Sequence, residues 1–173
     1  MGNLMCFICL LLLGFSSVLS AQSTDHEQFL LSVPDWSERK MQAIQKFAGQ
    51  DYDETIRLLK YFPEEDTAWA TANFFYVSAN VAGSHNQEAV HAAWKGLEIT
   101  PSPYRRSLFD LLGSVYAEEG KYDSAIVVFQ NGLKEFPHYY RYHFGLGLAY
   151  KGLKEYNNAI QCFQYAVRLN PYH

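Results

Sequence analysis

The stretch LGLAYKGLKEYNNAI, residues 146–160, decides the fold, because the chain has already used it once. One repeat upstream, residues 112–126 read LGSVYAEEGKYDSAI and agree at Leu, Gly, Tyr, Tyr, Ala and Ile. An internal period of this size marks a chain built from stacked supersecondary units. Working outward, Phe129 pairs with Phe163, Leu133 with Val167 and Pro137 with Pro171; Gly120 against Lys154 is the one pair of unlike character.

Within each unit the spacing is helical. Leu146, Gly147 and Tyr150 share one stripe of a first helix, and Ala159, Phe163 and Ala166 recur at i, i+4 and i+7 in a second. A glycine inside a helix costs about 1 kcal/mol relative to alanine. Gly113 and Gly147 therefore point to a packing need, a close approach by a neighbouring helix. Tyr122 and Tyr156 stand at the turn, where a ring can wedge between helices. Pro137 and Pro171 stop the second helices, since proline lacks the donor and clashes with the preceding turn.

On these residues the chain resembles the tetratricopeptide repeat family, whose 34-residue unit is a helix–turn–helix with the pattern W-x2-L-G-x2-Y…A-x3-F…P. Phe109 and His143 stand at the Trp position. The resemblance implies an all-α, right-handed superhelical solenoid of stacked hairpins, with units at 106–139 and 140–173. Upstream, in 66–105, Trp69, Ala72, Asn73 and Tyr76 match the first helix, with Ala for Leu and Asn for Gly. Ala89, Ala93, Gly96, Leu97 and Pro101 match the second. The interval from Tyr76 to Pro101 exceeds that from Tyr116 to Pro137 by about one helical turn. That excess predicts a lengthened first helix or a longer turn around GSHNQ, residues 83–87. A further short insertion within PSPYR, residues 101–105, precedes the third unit. Ala43, Tyr52, Ile56, Leu59 and Pro63 mark a degenerate helical pair over 36–65, as expected of a terminal unit with one face in water.

The segment 1–21 has the build of a signal peptide: no ionisable side chain before Asp25, an apolar run from Leu4 to Phe15, then small residues with cleavage sites after Ser20 or Ala21. The rival reading is an uncleaved anchor, although Ser16, Ser17 and Ser20 interrupt a run that must reach roughly 20 residues to span. The segment 22–35 carries no period and reads as a flexible lead-in. Cys6 and Cys9 fall within the leader, so removing it leaves Cys162 alone, a small apolar filler on a helix. The fold then stands on packing, not disulfides.

With 173 residues, 49% of them apolar, the chain is long enough for a real core. A net charge of −4 and scattered Lys and Arg argue against nucleic acid as a partner. Phosphate loops, nucleophile elbows and paired metal ligands are missing from the sequence. His138 and His143 in HYYRYHF are five apart and do not share a helical face; His85 and His91 are no better placed for a metal. Asp25-His26-Glu27, the tightest acid–imidazole cluster, lies in the lead-in. No enzymatic activity, cofactor or small-molecule substrate is expected.

In the resembled family, partner proteins or peptides lie on the concave face formed by the first helices. That register places Ala70, Phe74 and Val77 there in the second unit, Ser107, Asp110, Ser114 and Ala117 in the third, and Arg141, Phe144, Leu148 and Lys151 in the fourth. The Lys and Asn clamp with which some members grip an acidic chaperone C-terminus is missing here. What remains is a mixed groove, with Phe74, Phe144 and Leu148 as apolar anchors and Arg141 and Lys151 at its edge. Finally, Ala159, Ile160, Phe163, Ala166, Val167 and Leu169 give the last helix more apolar surface than one neighbour can cover, which predicts a longer array, self-association or another partner at that end. The expectation is an exported protein-interaction scaffold or assembly adaptor. The alternative is a subunit of a membrane-associated complex, tethered by its N-terminal helix.

Overall fold

In the computed structural model the described residues are 36–64, 68–99 and 104–171. Among them the regular structure is helical throughout: α1 (Trp36–Ala48), α2 (Tyr52–Leu59), α3 (Trp69–Ala82), α4 (Asn86–Ile99), α5 (Tyr104–Glu118), α6 (Tyr122–Glu135), α7 (Tyr140–Gly152) and α8 (Tyr156–Leu169). The chain divides into two compact units at Arg39/Lys40. Of Met1–Arg39 only the opening turn of α1 is described, so the account below concerns Lys40–His173. The signal segment, Asp25-His26-Glu27, Cys6, Cys9 and Pro101 lie outside the described residues.

Each hairpin closes with the same short turn. Its middle residue is left-handed: Gln50 (φ 62°), Ser84 (φ 63°), Gly120 (φ 75°) and Lys154 (φ 64°). The residue after it donates back across the turn, Asp51 N to Lys46 O (2.9 Å), His85 N to Asn80 O (2.8 Å), Lys121 N to Tyr116 O (2.8 Å) and Glu155 N to Tyr150 O (2.9 Å). The left-handed residue itself donates to the third residue before it, as Gly120 N does to Ala117 O. This paired motif satisfies carbonyls that a helix end otherwise orphans. It also explains the unlike pair Gly120 and Lys154, since both fill the one left-handed site.

These turns set the true register. Their left-handed positions keep one period throughout, except between Ser84 and Gly120, where it lengthens slightly. The extra length enters as the opening of α5, which starts at Tyr104 and is 15 residues long against 13 for α7. The expected insertion after Tyr76 is not there. Turn 83–85 is as short as the others, and α3 is no longer than α5. Measured from the turns, the places of Phe109, Gly113 and Tyr116 are held in α3 by Asn73, Val77 and Asn80, while Trp69 lies a turn too early for its motif position. The mismatch has a simple cause. A slip of about one turn barely rotates a helix, so the apolar stripe survives it.

From α2 onward helices pack against their sequence neighbours, and the first helices α3, α5 and α7 also touch in series. Phe129 on α6, 1% exposed, is seated between two glycines. A Cβ on Gly113 of α5 would stand 2.5 Å from its ring, and one on Gly145 of α7 would collide with the same ring. Gly132 in turn receives Tyr142, whose ring would lie 2.7 Å from an added Cβ. Tyr142 is fully buried and its hydroxyl donates to Arg106 O at 2.7 Å. One hairpin earlier the sizes are exchanged: Val77 takes the place of Gly113, and Ala93 that of Phe129. Volume is conserved while the large residue changes sides, the kind of exchange close-packed cores tolerate.

Candidate functional site: the groove between the first helices

Two clefts, about 500 and 390 Å³, run along the line where α5 faces α7. They share Ser114, Phe129, Gly145 and Leu148, so they form one groove. Ser114 and Gly145 are small enough to open its floor down to Phe129. Phe144 and Leu148, one turn apart on α7, stand 50% and 41% exposed at its wall. Lys151 lies at one end, and the Arg141–Asp110 ion pair at the other.

That ion pair joins α7 to α5, with Arg141 Nε 2.7 Å from Asp110 Oδ2. Burial pushes the Asp110 carboxyl above its ordinary range, against the opposing pull of the Arg141 guanidinium. Arg141 is itself half-exposed and lines the cleft, and a guanidinium has further donors that can meet a carboxylate or carbonyl.

Of the residues expected on this face, Asp110, Ser114, Arg141, Phe144, Leu148 and Lys151 line the groove together. Phe74 stands apart, packed 5.6 Å from the Phe75 ring and 5.3 Å from Tyr104. Val77 is a correction. It is 1% exposed and belongs to the core, because it occupies the glycine place that faces the second helix. In the observed register the places expected of Phe74 and Val77 on this face pass to Ser78 and Val81. Sequence reasoning also missed Tyr140, Gly145 and Asn170 in the lining; the GLG run at 145–147 was the available signal for Gly145.

Elsewhere, His143 stacks 4.5 Å from the Tyr165 ring, with Nε2 3.3 Å from Pro137 O. Among the described residues no cluster of three or more His, Cys, Asp or Glu could hold a metal, and no helix is long and apolar enough to cross a membrane. Burial pushes the Cys162 thiol up, which suits a filler more than a nucleophile. Tyr156, expected to wedge between helices, is 59% exposed, whereas its counterpart Tyr122 packs on Gly152.

Comparison with known proteins agrees with this geometry. Residues 107–139 and 140–173 each match a family profile described as Tetratricopeptide repeat. Among solved structures, a crystal structure of MamA is similar at TM-score 0.72 and 23% identity, covering 84% of each chain. The structure of MamA 41-end from Desulfovibrio magneticus RS-1 is similar at TM-score 0.69 and 22% identity, covering 80% of this chain and 77% of that one. No curated protein matches in sequence. Likeness at this identity speaks for the fold alone. Residues 107–173 thus match two tetratricopeptide-repeat units, and the described helices build an all-α solenoid.

Proposed function

We propose that the protein is an exported interaction scaffold that holds a segment of a partner protein in the groove between α5 and α7. One observation carries this reading: Phe144 and Leu148 stand exposed side by side over a cleft of about 500 Å³ whose rim is charged. An apolar side chain of the partner fills the space between Phe144, Leu148 and the Phe129 ring. Arg141 and Lys151 set its direction by meeting acceptors at the two ends. Apolar anchors ringed by polar groups dominate the energy of such contacts. Export rests on the N-terminal pattern alone.

The test compares tagged wild type with Leu148→Glu, purified side by side from the native source. A partner recovered with wild type and lost with Leu148→Glu is the expected result. Identical sets of recovered proteins would contradict the groove as the binding site. N-terminal sequencing of the same material tests export: a start at Ala21 or Gln22 supports it, and retained Met1 assigns the chain to a membrane-tethered complex.

A further inference from the structure

The register of α3 needs a lock that apolar burial does not supply. A slip of one turn barely rotates a helix, so the stripe of α3 fits α4 in two ways. In the observed register Asn73, Val77 and Asn80 hold the places of Phe109, Gly113 and Tyr116. One turn along, Trp69, Asn73 and Tyr76 would hold them, nearer the family pattern. Asn73 distinguishes the two. Its side chain is buried inside the hairpin, and Nδ2 donates to Ala92 O on α4 at 3.2 Å. Its Oδ1 lies against Gly96 without a hydrogen-bond partner. Phe109 and His143 stand at this place in the later units, so packing does not call for an amide here. A half-satisfied buried amide costs stability, and in coiled coils a single buried asparagine fixes helix register at such a cost. The other polar contacts of α3 discriminate less. Asn80 Nδ2 donates to Tyr76 O, and Ser78 Oγ to Phe74 O, within the same helix, so both bonds would travel with it. Thr71 Oγ1 lies 3.1 Å from the Tyr104 hydroxyl at a half-buried site, where water can replace either group.

We infer that Asn73 locks α3 in its register, and that without this lock the helix slides one turn and changes the surface it presents. The slide moves α3 about 6 Å along its axis and carries Asn73 to the place of Val77. There the amide is parted from Ala92 O yet stays buried, a loss that the observed register avoids. On the face of the first helices, Phe74 and Val77 then take the places of Ser78 and Val81. That part of the face, beside α5, changes from partly polar to apolar. The turn at 83–85 takes up the residues released from the end of α3. A step of one helical turn past a packed neighbour is an established mode of switching. Asn73 thus acts as a positioning residue: it lies inside the hairpin and decides which side chains α3 offers outside it.

Leucine at position 73 suits both registers, because one of its places holds Phe109 in the next unit and the other holds Val77 now. Asn73→Leu therefore removes the lock and keeps an apolar core. Single cysteines report the outcome through their rate of reaction with a soluble disulfide reagent, in the full chain carrying Cys6→Ala, Cys9→Ala and Cys162→Ala. Val77→Cys is shielded in the observed register and reaches the half-buried place of Val81 after the slide. Asn73→Leu should raise its rate about 10-fold, as when a minor state grows from about 1% to about 10% of the chains. Ala93→Cys, 1% exposed on α4 beneath α3, stays covered in both registers and should keep its rate. If both rates rise together, α3 has merely loosened; if neither rises, the register has another cause. Either result overturns the lock. Should Asn73→Leu fail to fold, Asn73→Ala is read by the same two rates with the same outcomes.

Discussion

At the scale of single residues, the architecture is an exchange of rings and glycines. Gly145 has no room for a methyl group, because the Phe129 ring behind it is buried on all sides. Gly145→Ala gains about 1 kcal/mol of helix propensity but loses about 1–3 kcal/mol to overpacking. Urea denaturation should show a net loss of up to about 2 kcal/mol. Gly120 is the opposite case, with open space around it and a left-handed backbone, so Gly120→Ala should lose about 1 kcal/mol from conformation alone. Asp110 supplies a test by pH. Its carboxyl is raised by burial, so the native state binds that proton more tightly than the unfolded chain, where an Asp titrates at about 3.9. Stability from this group is present at low pH and lost as pH rises through the raised value. Asp110→Asn never ionises, so its stability relative to wild type should improve from about pH 3.5 to about pH 7 in parallel urea melts; a relative decline would contradict the burial. The glycines in this scheme were legible as helix-interior oddities, but the rings that need them were not, because those partners lie on other helices.

At the scale of elements, what the sequence hid was register. The repeat of 112–126 at 146–160 was plain, because two units agree at motif positions one period apart. In α3 the match through Trp69 and Tyr76 was one turn off, and a helical stripe alone could not reveal it, since a one-turn slip preserves the face. The left-handed middle residue of each turn resolves it, yet Gln50, Ser84 and Lys154 carry no glycine signature. This correction moves Val77 from the groove to the core, which separates two substitutions. Val77→Ala should lose about 1–3 kcal/mol, as buried truncations do, while Ser78→Ala should change stability by less than about 0.5 kcal/mol. Thermal melts of the two variants compare them directly. The α5–α7 contact has its own test in Tyr142→Phe, which strips the donor from Arg106 O and should lose about 1 kcal/mol.

At the scale of the whole chain, repetition makes each hairpin both a guest on the one before and a host for the one after. The groove wall at Phe144 and Leu148 was legible from family register, because in the fourth unit that register was sound. The ion pair from Arg141 to Asp110, which braces α7 on α5, was not, since it joins side chains on different hairpins with no local signal. The central claim is that partners are gripped on the face of the first helices. The most direct measurement places a photo-crosslinking amino acid at Leu148 in one sample and at Val127, an exposed position on α6, in another. Irradiation in the native cells should join a discrete partner through position 148 and not through position 127. Equal yields at both positions, or adducts only at 127, would contradict the account.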